Sequence, residues 1–177
     1  MLIGLQPLIF KLFFKNIDFS KVQKRHSTMP ELSEWEKKIN YASSVTFFGI
    51  VAYSLFLPIK YGTVWFYTGL IVYLVGMIFG FLALIYFGNA LLDKPVTNGV
   101  YSISRNPMYF SMLLIFIGIS ITSASWLFLL FTIMWFILSD RIVLIEERWC
   151  LETYGEDFRE YMNTTPKWIG IPKSKKE

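Results

Sequence analysis

The chain has 177 residues, which is enough for one domain and argues against a second. Hydrophobic residues make up 54% of it and charged residues only 17%, whereas soluble domains average about 45–50% and about 25%. This imbalance argues against an ordinary water-exposed surface and predicts contact with lipid. The net charge of +4 does not call for a nucleic-acid partner, and a single cysteine, Cys150, excludes an internal disulfide.

The N-terminal segment precedes the long apolar stretches. Residues 1–14 are apolar but too short for a comfortable membrane crossing, which needs about 20 residues. They also lack the basic start and the cleavage site of a signal peptide. We therefore expect residues 1–40 to form an interfacial and cytoplasmic segment, in which Lys11 and Lys15 suit an anionic surface. The alternative is a fifth membrane span at residues 1–14.

The apolar segments predict an all-α membrane bundle with four spans. Residues 41–59 form the first span, and residues 64–87 form the second after a short polar turn. A polar, turn-rich loop covers residues 88–106. The apolar run 107–140 is too long for one crossing. We expect the small polar residues 120–125 to divide it into two short antiparallel helices that pack closely.

The basic residues predict an orientation for this bundle. Of the 17 Lys and Arg residues, 16 lie before residue 41, in the 88–106 loop or from Asp140 onward, and four spans put those three segments on one side. The other side holds only Lys60. Such asymmetry is typical of the positive-inside rule, so both termini and the long loop are predicted to be cytoplasmic.

Residues suited to chemistry concentrate at the cytoplasmic ends of the last two spans. Residues 97–109 end the loop, whereas Arg141, Glu146 and Glu147 follow the last apolar run. Because these two spans are joined tightly, residues about 40 apart in the sequence should face one pocket. Acidic side chains are costly near hydrocarbon and tend to mark functional sites there.

Each of these motifs also has a purely structural interpretation. Asn106 and Pro107 form a standard helix start, with Asn as N-cap and Pro at the first helical position. Arg105 and Arg141 could be interfacial anchors whose charged ends reach water. The two acids could belong to an ordinary solvated helix with Arg148. The combination on one side of the membrane favours a site over these separate interpretations.

The order and spacing of the motifs resemble those of the isoprenylcysteine carboxyl methyltransferases and the related phospholipid N-methyltransferases. The likeness covers residues 88–169, and its motifs are residues 99–101, 105–109, 146–147, 154–161 and 166–168. It implies one membrane methyltransferase domain, residues 1–177, with residues 88–169 as the catalytic region. It also implies S-adenosylmethionine as the methyl donor, and an acceptor that arrives from the bilayer lipids.

The resemblance also implies roles for individual residues. The long loop and the C-terminal helix would form the cofactor pocket, and Arg141 is expected to orient the methyl acceptor. The predicted cofactor-binding residues are Tyr101, Arg105, Asn106, Pro107, Tyr109, Glu146 and Glu147. No metal site is expected.

Two positions depart from the family pattern. Asn106 stands where the family usually has His, and Asn can hydrogen-bond but cannot titrate near neutral pH. Ser111 stands where the family usually has Gly, which leaves less room for a close approach of the backbone.

The sequence leaves the acceptor open between two chemistries. The carboxylate of a prenylated cysteine is ionised at neutral pH, needs no base and could be held by Arg141. The amine of a phospholipid of the phosphatidylethanolamine type must lose a proton, for which a Glu is the candidate. We rank the carboxylate first. A non-catalytic membrane scaffold and an NADPH-dependent reductase of the sterol type are the remaining alternatives, the latter because residues 147–150 resemble a segment of those longer enzymes.

Overall fold

The computed structural model describes residues 32–91 and 93–172. Residues 1–31 of the predicted interfacial and cytoplasmic segment, with the alternative span at residues 1–14, lie outside the described residues. Within them the secondary structure is entirely helical, which confirms the predicted all-α class. The elements are α1 (Glu34–Ser54), α2 (Val64–Asn89), a 3-10 turn (Gly99–Ser102), α3 (Pro107–Ser123), α4 (Trp126–Tyr154) and α5 (Glu156–Thr164).

Helix α1 begins earlier than the apolar pattern predicts. The Ser33 hydroxyl accepts from the backbone N–H of Glu36, and the Glu36 carboxylate accepts from the backbone N–H of Ser33 at 2.8 Å. This capping box satisfies backbone donors at the helix start. The helix therefore includes a charged first turn, and it ends at Ser54 instead of continuing through the predicted span at 41–59.

Two helices of the described residues, and not four, are long and apolar enough to cross a membrane alone. These are α2, with 26 residues, and α4, with 29 residues. Helix α3 is equally apolar in character but has only 17 residues, and α1 carries charged residues in its first turn. Only 11% of the most apolar part of α2 is buried within the chain, so its surface is suited to lipid.

The predicted division of the apolar run 107–140 is confirmed. Helix α3 ends at Ser123, Ala124 adopts a left-handed conformation with φ of 51°, and the Ser125 hydroxyl accepts from the N–H of Phe128. These small residues allow a tight reversal and an immediate new helix start. Helix α4 then continues without a break to Tyr154, so the paired acids lie on the same helix as its apolar part.

Helices α2 and α3 pack with their backbones in direct contact. A Cβ atom placed on Gly118 of α3 would lie 2.6 Å from the backbone nitrogen of Tyr73, and one placed on Gly76 of α2 would lie 2.9 Å from that of Ile115. The glycines are therefore the reason that the helices can approach so closely. Gly76 packs within its own chain, against α3.

Helix α1 pairs with α4 and completes the bundle. Phe47 of α1 contacts Phe116 and Trp135, with ring centroids 5.8 and 5.9 Å away. Nearer the polar end, Arg148 of α4 forms an ion pair with Glu36 at 2.8 Å. This contact fixes α1 beside the paired acids.

Candidate active site

Arg105 and Glu147 form the buried centre of the site. The guanidinium donates from Nε to Oε1 of Glu147 at 2.9 Å and from Nη2 to Oε2 at 3.2 Å. The two side chains are only 10% and 8% exposed. Such a two-point geometry holds the loop before α3 against the C-terminal half of α4, as the tight α3–α4 turn predicts.

The remaining donors of Arg105 tie the C-terminal segment to the same point. Its Nη1 donates to the carbonyls of Met162 at 2.9 Å and Thr165 at 2.8 Å. Its backbone N–H donates to the carbonyl of Pro166 at 3.0 Å. Four of the five guanidinium N–H groups of Arg105 thus have protein partners, and the residue organises the pocket more than it presents charge to a ligand.

Asn106 serves the same network and does not act as a side-chain N-cap. Pro107 does occupy the start of α3, as predicted, but the Asn106 side chain makes no capping hydrogen bond. Its Nδ2 donates instead to Oε1 of Glu147 at 3.1 Å and to the carbonyl of Lys167 at 3.2 Å. The neutral amide therefore supplies a third donor to the buried carboxylate without adding charge.

Tyr161 of α5 closes this side of the site. Gly155, with φ of 56°, ends α4 and turns the chain into α5. The Tyr161 hydroxyl then donates to the carbonyl of Tyr101 at 2.6 Å. Burial raises the pKa of the Tyr161 hydroxyl above its ordinary value, so it remains a donor at physiological pH.

Lys167 fastens the last described segment to α4. Its Nζ donates to Oδ1 of Asp140 at 2.6 Å, and the ring of the next residue, Trp168, lies 4.6 Å from that of Phe136. The C-terminal segment is therefore held by an ion pair and an aromatic contact in addition to the Arg105 network.

Glu146 has different surroundings from its neighbour. Its Oε1 accepts from the hydroxyl of Tyr109 at 2.7 Å. Within the described residues this carboxylate has no Lys or Arg partner, whereas the charge of Glu147 is balanced by Arg105. Glu146 is thus the acidic group of the site that a cationic ligand could neutralise.

A cavity of about 660 Å³ lies beside this network and receives side chains from all five helices. Its size is that of sites for cofactors and other small ligands. All seven predicted cofactor-binding residues line it: Tyr101, Arg105, Asn106, Pro107, Tyr109, Glu146 and Glu147. Most of the other lining side chains are apolar or aromatic.

The structure does not bring Arg141 to this cavity. The residue is exposed on α4, and the neighbouring Ile142 lines the cavity in its place. The helical repeat explains this, because consecutive residues point about 100° apart around the axis. The expected role of Arg141 in orienting the acceptor therefore lacks support from its position.

Sequence reasoning also missed one wall of the cavity. Asn40, Ser43 and Ser44 of α1 line it, as do Trp149 of α4 and Phe158 of α5. The i, i+3, i+4 spacing of the three polar residues places them on one helix face, and this is the signal that could have revealed them.

A sequence model of the family described as phospholipid methyltransferase matches residues 61–157, which is more than half of the chain. The chain belongs to the phospholipid methyltransferase family. The matched segment contains α2, the loop, α3 and α4, but not α1 or Tyr161. No curated protein and no solved structure matches the chain.

Membership in the phospholipid methyltransferase family identifies the chain as a methyltransferase of membrane lipid-type substrates. Members of this family generally use S-adenosylmethionine. The two long apolar helices agree with association with a membrane.

Proposed function

We propose that the chain transfers a methyl group from S-adenosylmethionine to the amine of a phospholipid head group, at the cytoplasmic face of a membrane that it crosses several times. The observation that carries this proposal is the Glu146 carboxylate, which lines the cavity and has no basic partner among the described residues. A carboxylate of this kind suits a cationic ligand.

The lining residues fit the methyl donor. A sulfonium is stabilised by carboxylates and by aromatic faces, and Glu146, Tyr109 and Trp149 supply both. Adenine needs an apolar or aromatic surface, which Trp149 offers. When bound, the donor supplies an electrophilic methyl group whose bond to sulfur breaks as the methyl passes to the acceptor nitrogen.

Glu146 is also placed to handle the proton of the acceptor. An amine is protonated at neutral pH and must lose a proton before its lone pair can attack carbon. The Glu146 Oε2 atom makes no hydrogen bond within the described residues, since Tyr109 donates to Oε1. We assign Oε2 as the proton acceptor, a role that typically contributes about 10²–10⁴-fold to rate.

The carboxylate of a prenylated cysteine, ranked first by the sequence, is the alternative acceptor. It requires a cation to hold it, and Arg141 was the candidate. Arg141 is exposed outside the cavity, while Arg105 is engaged by Glu147 and by backbone carbonyls. These placements favour the amine.

Cofactor binding is the first test of the proposal. The protein, purified in detergent, is titrated by calorimetry with S-adenosylmethionine and with its demethylated product, and Glu146→Ala is the control. We expect saturable binding that the variant weakens, followed by methyl transfer to phosphatidylethanolamine and not to a prenylated cysteine. Absence of binding by folded wild-type protein would contradict the proposal and support a scaffold, and a nicotinamide titration would then test the reductase alternative.

A further inference from the structure

One face of helix α1 lines the cavity, and the chemical character of its side chains changes along the helix. Asn40, Ser43, Ser44 and Phe47 follow one another at i, i+3, i+4 and i+7, so that they share a face, and all four line the cavity. The Glu36–Arg148 ion pair lies one turn before Asn40 on the same face. The face thus changes from charged to polar to aromatic along the helix.

The polar part of this face has no partner of its own. Ser43 is only 8% exposed, and neither its hydroxyl nor the side chains of Asn40 and Ser44 form a hydrogen bond within the described residues. Other hydroxyls on α1 do, since Thr46 donates to the carbonyl of Ala42 at 2.8 Å and Ser54 to that of Val51 at 2.7 Å. Asn40 and Ser44 are exposed, and the hydroxyl of the buried Ser43 is open to the cavity, so a ligand in the cavity can supply its partner.

We propose that this face of α1 binds the glycerophosphate part of the acceptor phospholipid. The amide of Asn40 and the hydroxyls of Ser43 and Ser44 donate to phosphate and ester oxygens, while Phe47 packs against the start of an acyl chain. This inference rests on the proposed function, because it takes the acceptor to be a phospholipid.

The axial order of the face matches that of the lipid. Asn40 and Phe47 are seven residues apart, which corresponds to about 10 Å along a helix. A phospholipid presents its phosphate and its hydrocarbon in the same sequence from the membrane surface inward. The α1 face therefore offers hydrogen-bond donors at the level of the head group and an aromatic surface at the level of the chains.

The extent of the family match favours the acceptor over the methyl donor as the ligand of this face. The matched segment, residues 61–157, contains Arg105 and Glu146 but not α1. A donor used throughout the family is expected to be held by the shared segment. A wall supplied from outside that segment is the part of the cavity that can distinguish one acceptor from another.

The test measures lipid binding and cofactor binding separately. Binding of a fluorescent phosphatidylethanolamine is measured in dodecylmaltoside micelles without S-adenosylmethionine, for wild type and for the Ser43→Ala/Ser44→Ala double variant. Ser54→Ala, on the same helix but outside the cavity, is the matched control. We expect the Kd for the lipid to rise about tenfold in the double variant, as the loss of two hydrogen bonds predicts, with an unchanged Kd for S-adenosylmethionine.

Two results would overturn the inference. An unchanged lipid Kd would show that the hydroxyls do not contact the acceptor, and a raised cofactor Kd with an unchanged lipid Kd would assign the face to the methyl donor. Should the double variant lose its thermal transition, Ser43→Ala alone is read by the same criteria. A wild type whose lipid binding depends on α1 but which transfers no methyl group would support phospholipid binding by this face and contradict the proposed function.

Discussion

Glu147 accepts two hydrogen bonds from Arg105, from Nε at 2.9 Å and from Nη2 at 3.2 Å, between residues that lie 42 positions apart in the chain. The pair joins the end of the loop to the middle of the C-terminal half of α4. Because Arg105 also binds two carbonyls at the C-terminal side of α5, one guanidinium holds three segments together. The role of Glu147 is therefore first to maintain the pocket.

Removal of Glu147 is expected to destabilise the fold. Glu147→Ala leaves a buried guanidinium without its counter-charge, a change that typically costs about 3–5 kcal/mol. Thermal unfolding in detergent should show a much lower melting temperature for this variant than for wild type. Glu34→Ala is the control, because the Glu34–Lys37 pair is exposed and such pairs contribute about 0–1 kcal/mol. Equal melting temperatures for the two variants would contradict a structural role for Glu147.

Glu146→Gln is expected to slow methyl transfer without destabilising the fold. The amide keeps the shape of the side chain and can still accept from Tyr109, but it cannot take up a proton at neutral pH. The rate of methyl transfer to phosphatidylethanolamine should fall by about 10² or more, with little change in melting temperature. A variant that retains the wild-type rate would remove Glu146 as proton acceptor.

The sequence predicts that Glu146 and Glu147 lie at the site, but it does not predict their different roles. Their neighbourhood with Arg105, Asn106 and Tyr109 follows from motif spacing and from the tight turn at residues 120–125. Which acid pairs with Arg105 does not follow, because it depends on the rotation of α4 about its axis, and a rotation of one residue exchanges their roles. The same rotation places Arg141 outside the cavity.

The helical architecture was predictable to a similar degree. Apolar runs and small polar residues predicted α2 and the α3–α4 division, because these features are local. Four spans were predicted, whereas two of the described helices are long and apolar enough to cross a membrane alone, since the capping box at Ser33 starts α1 within charged sequence and α3 is short. The polar face of α1 was missed although Asn40, Ser43 and Ser44 have the spacing of one helix face, because only the long-range pairing of α1 with α4 brings that face to the cavity.

Tyr161→Phe is expected to loosen the turn that carries Tyr101. The variant removes the 2.6 Å hydrogen bond to the Tyr101 carbonyl and leaves a buried acceptor, which typically costs about 1–3 kcal/mol. Because Tyr101 lines the cavity, the Kd for S-adenosylmethionine should also rise. Tyr41→Phe, at a position that is 74% exposed, is the control and should behave as wild type.

The stability of Tyr161→Phe is also expected to depend on pH differently from that of wild type. Burial raises the folded-state pKa of Tyr161, so the stability it contributes is fully present below its unfolded pKa of about 10 and is lost as pH rises above that value. The stability difference between wild type and Tyr161→Phe should therefore shrink above about pH 10. A difference that grows with pH would contradict this assignment.

The contact between α2 and α3 gives a final prediction, because two glycines in similar helices have opposite surroundings. A methyl group at Gly118 of α3 would meet the backbone nitrogen of Tyr73 at 2.6 Å, whereas one at Gly49 of α1 would meet nothing within 4 Å. Backbone cannot yield as a side chain can, so Gly118→Ala must push the two helices apart. We expect this variant to lose at least about 1–3 kcal/mol, as overpacked sites do.

Gly49→Ala is the matched control. Alanine is favoured over glycine in a helix by up to about 1 kcal/mol, so this variant should be as stable as wild type or more stable. Separation of α2 and α3 would also shift the start of α3, which carries Pro107 and Tyr109 into the cavity, so Gly118→Ala should raise the Kd for S-adenosylmethionine as well. If Gly118→Ala were as stable as Gly49→Ala and bound the cofactor normally, α2 and α3 would not be in backbone contact in the membrane.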